Sequence, residues 1–451
     1  MELSPYFPPM KASKKIQNAW AFYDWSNSTY NLVIGTAIFP LFYTAVTRKT
    51  DANGVNSDMV DVFGFQLVNT ELLSYSLALG MTIVCFLSPA LSGVADYMGR
   101  KMTFLKFFCY LGAASCASLY FFDINHLELS MVSVVLACIG FWCSYAFANS
   151  FLPEIAAPDE QDKLSAKGFS LGYTGSVILL VICLIMIQVF DISARWCFVA
   201  VGIWWAGFAQ YTFYHLKEKR NNNAFKSQVI SHGFQELKKV WGEMKQTVRL
   251  RFYLLAFWFF SMGVQTIMQM ASLFGMKEVW RYNDEGKFVQ GLSDGELITA
   301  VLLVQLIAIP GAILFSFCSR KFGNLNTLKV ALFVWACVCI FAYAIVKTPF
   351  TFYIAAGLIG FVMGGTQSLA RSTYSKFLPE TKDHASYFSF YDVTEKVGLI
   401  IGLIAFGYLE HMGSMRTSIL ALIIFFIIGL FLLYFVPKKE KAIEGKVFWK
   451  E

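Results

Sequence analysis

Apolar residues run along this chain in blocks of about 20–25, broken by short polar connections, and a helix of that length rising 1.5 Å per residue crosses roughly 30 Å of hydrocarbon. Twelve blocks are read, at 19–46, 71–95, 103–122, 129–152, 166–190, 195–215, 252–274, 296–318, 326–346, 350–371, 385–409 and 416–436. Six precede the polar stretch 216–251 and six follow it. The pattern predicts an all-α membrane protein of twelve transmembrane helices: a six-helix half at 1–215, a linker at 216–251 and a second six-helix half at 252–451.

A duplication supports the division. Phe-Leu-Pro-Glu occurs at Phe151 to Glu154 and again at Phe377 to Glu380, each time closing an apolar block. A second related pair, Ser92 to Lys101 and Ser316 to Gly323, lies at nearly the same offset. Two similar halves running in the same direction are the organisation of a carrier whose halves rock about a central site.

Composition changes the picture only by fixing the medium. Hydrophobic residues make up 57% and charged residues 15%, which places the chain in a bilayer. Most of the 37 Lys and Arg residues fall in alternate connections and the two tails, so both termini are expected in the cytoplasm of a bacterial inner membrane. The connection from Glu154 to Lys167 departs from that pattern by being net acidic. The first block begins after Lys11, Lys14 and Lys15 and runs too long for a cleaved signal. The ten cysteines sit in apolar blocks and read as small buried hydrophobes, and the five histidines show no metal-ligand spacing. No phosphate-binding glycine loop or nucleophile signature supports an enzyme, and neither cofactor nor nucleic-acid partner is expected.

The linker holds nine basic residues against three acids. Within it Ile230, Phe234, Leu237, Trp241, Met244 and Val248 recur at steps of three and four, with Lys238, Lys239 and Lys245 off the stripe. That is an amphipathic helix expected to lie on the inner membrane surface against anionic lipid.

A charged group at a helix centre costs roughly 2.5–3.5 kcal/mol on insertion scales, so polar residues inside the blocks are candidate functional groups. In the first block Asp24, Asn27, Ser28 and Asn31 share one helical face. In the seventh, Ser261, Gln265 and Gln269 form a second stripe without a charge. Interhelical packing is the alternative use of the amides and hydroxyls; for Asp24 the alternatives are hydration, ion pairing and carrying a proton. The tenth block places Gln367 and Arg371 on one face, and the eleventh offers Asp392, Glu395 and Lys396, with Asp392 and Lys396 spaced to pair along the helix. Latching near the cytoplasmic end and direct solute contact are both open to this group. Asn149 lies near the end of the fourth block, beside the repeated tetrapeptide.

Between the second and third blocks, Gly93, Asp96, Gly99, Arg100 and Lys101 match the Gly-x3-Asp-x2-Gly-Arg-Lys pattern of the major facilitator superfamily. The chemistry suits a conformational latch: Gly93 allows close helix approach, Asp96 suits a helix N-terminus, and Arg100 suits a carboxylate partner. The second-half counterpart keeps Lys321 and Gly323 but has Arg320 where the acid would stand, so it is expected to be degenerate.

The stretches Ala19 to Ser28, Leu87 to Arg100, Asn149 to Glu154, Leu171-Gly172-Tyr173, Gly364 to Arg371 and Phe390-Tyr391-Asp392-Val393 resemble the vacuole-effluxer-like family within that superfamily, over nearly the whole chain. The resemblance implies a secondary carrier working by alternating access, acting as a monomer. Fungal members release amino acids from the vacuole, so a small polar or zwitterionic solute, with amino-acid efflux first, is the implied cargo and a proton the implied coupling ion. Phe260 to Thr266 lacks the carboxylate that the family places in the seventh span, which shifts coupling to Asp24 and the eleventh span. A membrane scaffold or lipid-handling protein that retains the fold without coupled transport is the alternative; hydrated polar stripes favour the carrier.

Overall fold

The computed structural model describes residues 12–50, 56–62, 64–218, 229–282 and 286–437. Among these, twelve long helices follow one another: span one Lys14–Thr47, two Asn69–Met98, three Lys101–Ser118, four Leu127–Asn149, five Pro158–Gln188, six Arg195–His215, seven Val248–Glu278, eight Asp294–Phe322, nine Asn324–Ala344, ten Pro349–Phe377, eleven His384–Met412 and twelve Met415–Tyr434. Ten are long and apolar enough to cross a membrane by length and composition. Spans six and eleven fall short for legible reasons. Span six is dense in Trp and Tyr, and span eleven carries Asp392, Glu395 and Lys396.

Span one is not uniform. It is α-helical over Lys14–Thr29, a π-helix over Tyr30–Ala37 and α-helical again over Ile38–Thr47. Pro40 has no N–H to give the carbonyl of Thr36, and Thr36 Oγ1 instead donates to the carbonyl of Asn31 at 2.9 Å. The two motif glycines found by the duplication end spans two and eight: Gly99 has φ +59° and Gly323 φ +81°, backbone that a side chain resists. Span eight opens on a reciprocal cap, in which the Ser293 N–H donates to the Glu296 carboxylate at 2.8 Å and the Glu296 N–H to Ser293 Oγ at 3.4 Å.

The chain divides into two compact units. One comprises 18–149 with 171–234; the other comprises the described start to Gln17, 150–170 and everything from Gln235 on. Helix five thus begins in one unit and continues in the other. In the first unit, spans three and four meet backbone to backbone: a Cβ on Gly140 would lie 2.9 Å from the carbonyl of Phe108. In the second, a Cβ on Gly360 would lie 2.9 Å from the Cα of Val304, and one on Gly364 3.0 Å from that of Ala308, so spans eight and ten run in contact. Small residues do this work because lipid offers helices no hydrophobic drive to associate, only close packing.

Span seven seats on span eleven by the same device. Gly398 and Gly402 stand one turn apart; a Cβ on Gly398 would meet Ser261 Oγ at 3.0 Å, and one on Gly402 the carbonyl of Met262 at 2.9 Å.

The linker helix, Val229–Gln246, packs part of its apolar stripe on protein. Its Leu237, Val240 and Met244 are buried against protein, and Trp241 packs on Phe390 with centroids 5.6 Å apart. Lys239 Nζ is 2.8 Å from Asp383 Oδ2, and Tyr387 Oη donates to Glu243 Oε2 at 2.7 Å. Polar partners at the start of span eleven therefore hold this face on protein. The side chains of Ile230 and Phe234 lie outside the described residues. Of the cysteines, Cys337 is exposed and Cys85 and Cys318 half-buried, while the others are buried as the pattern expects.

Gly402→Val forces spans seven and eleven apart and is expected to cost about 1–3 kcal/mol of stability by overpacking. Gly407→Ala is the control on the same helix, since nothing lies within 4 Å of the point its added methyl would occupy. Thermal unfolding of both in detergent checks this; equal midpoints would remove the close-packing account.

Candidate solute and coupling site

The first-unit stripe lies on span one, with Asp24, Asn27 and Ser28 before the π segment and Asn31 within it. Asp24 and Asn27 are buried, Ser28 is half-buried and Asn31 is exposed. Gly172 and Gly175 of span five let this face approach: a Cβ on Gly172 would lie 3.2 Å from the carbonyl of Asp24, and one on Gly175 2.7 Å from that of Trp25. Trp204 Nε1 donates to the Trp25 carbonyl at 3.2 Å and its ring stacks on Trp25. Ser28 Oγ donates to Asn27 Oδ1 at 3.4 Å, and Asn27 Nδ2 has no partner among the described residues. A buried amide donor left without an acceptor is costly, which marks Asn27 as a group in want of one.

In the second unit, spans seven and eleven bring predicted residues together. Gln265 Nε2 donates to Glu395 Oε1 at 2.6 Å. One turn away Lys396 Nζ donates to Asp392 Oδ1 in a buried ion pair, while Asp392 Oδ2 is buried with no partner among the described residues. Two carboxylates thus face one ammonium on adjacent turns. Phe257 stacks on Tyr391 at 4.2 Å and Tyr374 lies 4.8 Å from it, an aromatic wall beside the charges. Ser261 is buried and donates to the Trp258 carbonyl at 3.0 Å, so it serves helix packing. Gln269 is exposed and Gln367 half-buried. Asn149 is buried at the end of span four, where Trp20 Nε1 donates to the neighbouring Ala148 carbonyl at 2.7 Å.

Arg371 of span ten reaches the first part of span five. It is buried, with Nε donating to Ser165 Oγ at 3.0 Å, Nη2 to the Ser165 carbonyl at 2.9 Å, and its guanidinium 4.2 Å from the Phe169 ring centroid. Ser165 Oγ donates in turn to the Ser368 carbonyl at 2.8 Å. Arg371 therefore holds segment 150–170 to span ten.

The same segment supplies the residue that sequence reading missed. Asp162, buried, accepts from Ser319 Oγ at 2.9 Å, from Asn324 Nδ2 at 2.8 Å and from Lys376 Nζ at 2.6 Å; Asn324 Nδ2 also reaches Thr373 Oγ1 at 2.9 Å. Glu154 lies 3.0 Å from His384 Nδ1, and Gln17 Nε2 donates to Glu160 at 3.1 Å. Two acids of the net acidic connection that broke the charge pattern, Glu154 and Asp162, meet second-half bases and donors, and Glu160 meets Gln17. Ser319 and Asn324 flank Arg320 and Gly323, so two polar residues beside the second-half motif bond the buried carboxylate of Asp162.

Gly93 and Asp96 are buried, Gly99 closes span two, and the Arg100 N–H donates to the Ala95 carbonyl at 3.0 Å. Glu218 caps the N-terminus of span three: its two carboxylate oxygens accept from the N–H groups of Lys101 at 2.7 Å and Met102 at 3.0 Å. No carboxylate pairs with Arg100 among the described residues, and its Nε is buried without a partner there. No group of three or more metal-ligating side chains occurs among the described residues.

With this geometry in view, comparison with known proteins decides the family. A family model described as "Vacuole effluxer Atg22 like" matches residues 12–446. The chain belongs to the Atg22-like vacuole effluxer family. It is 30% identical to a Bacillus subtilis (strain 168) protein described as "Uncharacterized MFS-type transporter YxiO", over 96% of this chain and 97% of that one. It is 24% identical to autophagy-related protein 22-1 of Phaeosphaeria nodorum, over 81% and 75% respectively. Among solved structures it matches the Escherichia coli fucose:proton symporter with a TM-score of 0.63 at 13% identity, covering 94% of this chain and 98% of that one. A bacterial homologue of the iron transporter ferroportin matches with a TM-score of 0.64 at 10% identity, covering 95% and 100%. The fold is that of the major facilitator superfamily, and the chain is a multi-pass membrane transporter of that type, not an enzyme.

Removing one member of a buried ion pair costs about 3–5 kcal/mol because the other is left uncompensated. Asp162→Ala and Lys376→Met are each expected to lower stability by that order, and the double variant by less than the sum. Unfolding of the four proteins in mild detergent measures the coupling; additive losses would dissolve the pair.

Proposed function

We propose that this protein is a secondary carrier moving a small polar or zwitterionic solute by alternating access, with amino-acid efflux as the specific reading, a proton as the coupling ion and the bacterial plasma membrane as its place. The observation that carries the reading is the Gln265 to Glu395 hydrogen bond beside the buried Asp392 and Lys396 pair. Spans seven and eleven hold three ionisable groups within two turns, surrounded by apolar helix, at a composition that otherwise excludes charge. A purely structural helix pair gains nothing from an excess carboxylate there, whereas a carrier uses it to bind and release a cation. Relatives by fold include a fucose:proton and a proton:xylose symporter, and the family's description is that of an effluxer, which supports both the coupling ion and the direction.

Glu395 keeps one oxygen for Gln265 and has no second partner among the described residues, so it is the carboxylate best placed to exchange a proton. Asp24, buried on span one, is the competing candidate. Glu395→Gln preserves shape and fixes neutrality. In proteoliposomes loaded with the solute that metabolite profiling identifies, this variant is expected to lose accumulation driven by a pH gradient and to keep counterflow. Asp24→Asn is expected to reduce both together. The opposite assignment of the two phenotypes would transfer coupling to span one, and no flux of any amino acid or small zwitterion in the unaltered protein would leave the scaffold reading standing.

A further inference from the structure

The connection between spans seven and eight folds into a two-stranded hairpin, Trp280–Tyr282 against Phe288–Gln290. Its register sets Trp280 opposite Gln290, Arg281 opposite Val289 and Tyr282 opposite Phe288. Side chains alternate along a strand, so Trp280, Tyr282, Phe288 and Gln290 share one face and Arg281 and Val289 the other. The second face is engaged with protein: Arg281 Nε donates to the Gly291 carbonyl at 2.9 Å and lies 3.3 Å from the Glu296 carboxylate. On the first face Gln290 Nε2 donates to the Lys277 carbonyl, while the three rings stand out, with Tyr282 73%, Phe288 58% and Trp280 40% exposed.

These rings form an ordered platform. Trp280 and Phe288 stack at 5.1 Å and Tyr282 lies 5.3 Å from Phe288. An isolated two-stranded hairpin is marginal, and this one is fastened at both ends: the Trp280 N–H donates to the Lys347 carbonyl at 2.9 Å, the Gly291 N–H to the Val279 carbonyl at 2.7 Å, and the Leu292 N–H to the Gly275 carbonyl at 3.1 Å. The first of these bonds sets the platform beside the connection between spans nine and ten, where Ile345 and Phe350 are 51% and 71% exposed. On a membrane-spanning helix bundle, exposed apolar residues at a span end meet lipid, so the aromatic face continues a lipid-facing surface.

We propose that this hairpin is an interfacial anchor, its aromatic face bedded in the headgroup layer of the leaflet opposite the linker helix, holding the far end of span seven at a fixed depth. Trp and Tyr suit that layer because each joins an apolar body to a polar tip. The Tyr282 hydroxyl and Trp280 indole N–H make no hydrogen bond among the described residues, which leaves both tips for lipid carbonyls and water. Span seven carries Gln265, so its depth in the bilayer sets where that side chain stands.

A spin label on Phe288→Cys, in the full chain with Cys85, Cys318 and Cys337 replaced by Ser and reconstituted into phosphatidylcholine and phosphatidylglycerol liposomes, reports the occupant. Collisions with oxygen are expected to exceed those with a water-soluble nickel chelate. The reverse order places the face in water and overturns the proposal. Protection from both relaxants, meaning a second copy or another protein covers it, overturns it too. An independent reading compares Trp280→Phe with the unaltered protein in lipids brominated near the glycerol end: the proposal expects the substitution to remove a strongly quenched component of the emission, and an unchanged quenching profile counts against it.

Discussion

Hydrocarbon offers no solvent for charge, and that constraint orders this molecule more than any single contact. A chain with twelve long helices hides its backbone polar groups inside the helices, but every ionised side chain carried inward must find a counter-charge, a donor or a water path. The consequence is concentration. Two charge clusters stand out in the second unit, the Asp392, Glu395 and Lys396 group on span eleven and the Asp162 and Lys376 anchor at the base of segment 150–170. The first has a carboxylate in excess, the second is saturated with donors. That difference separates a site able to exchange a ligand from one built to hold.

Glycine makes both places reachable. Where Gly398 and Gly402 meet span seven, and where Gly360 and Gly364 meet span eight, backbones approach to distances that side chains would forbid. Short polar side chains such as Gln265 and Ser319 then span the gap to their partners. Large side chains at these positions would push the helices apart by more than a hydrogen bond tolerates, so packing and polar chemistry depend on the same residues.

Much of this was legible in the chain. Block lengths located the spans, with 195–215 matching helix six, and 252–274 falling short of Val248–Glu278 because the polar ends of a helix carry no apolar signal. The stripes of spans one and seven and the charges of span eleven were visible as residues, and the Gln265 to Glu395 pairing was not, because the partners stand 130 positions apart. Asp162 was visible only as a violation: an acidic connection where basic ones were expected. Its partner Lys376 is 214 positions away, and charge bias alone names no partner. The linker stripe was legible as an apolar face, and the protein cover over Leu237, Val240 and Met244 was not, since periodicity identifies an apolar face without saying what covers it.

Span one carries a consequence of another kind. A π segment closes its hydrogen bonds one residue later than an α-helix does, so Tyr30–Ala37 contains slack that a regular helix would lack. If one residue of that slack passes along the helix, everything on one side turns by about 100° relative to the other. The Asp24 and Asn27 face would swing away from its present neighbours while Pro40 and the rest of the far end stayed in place. Span one is in this sense a screw with a single spare thread, able to change which residues it presents without changing its length or its loops.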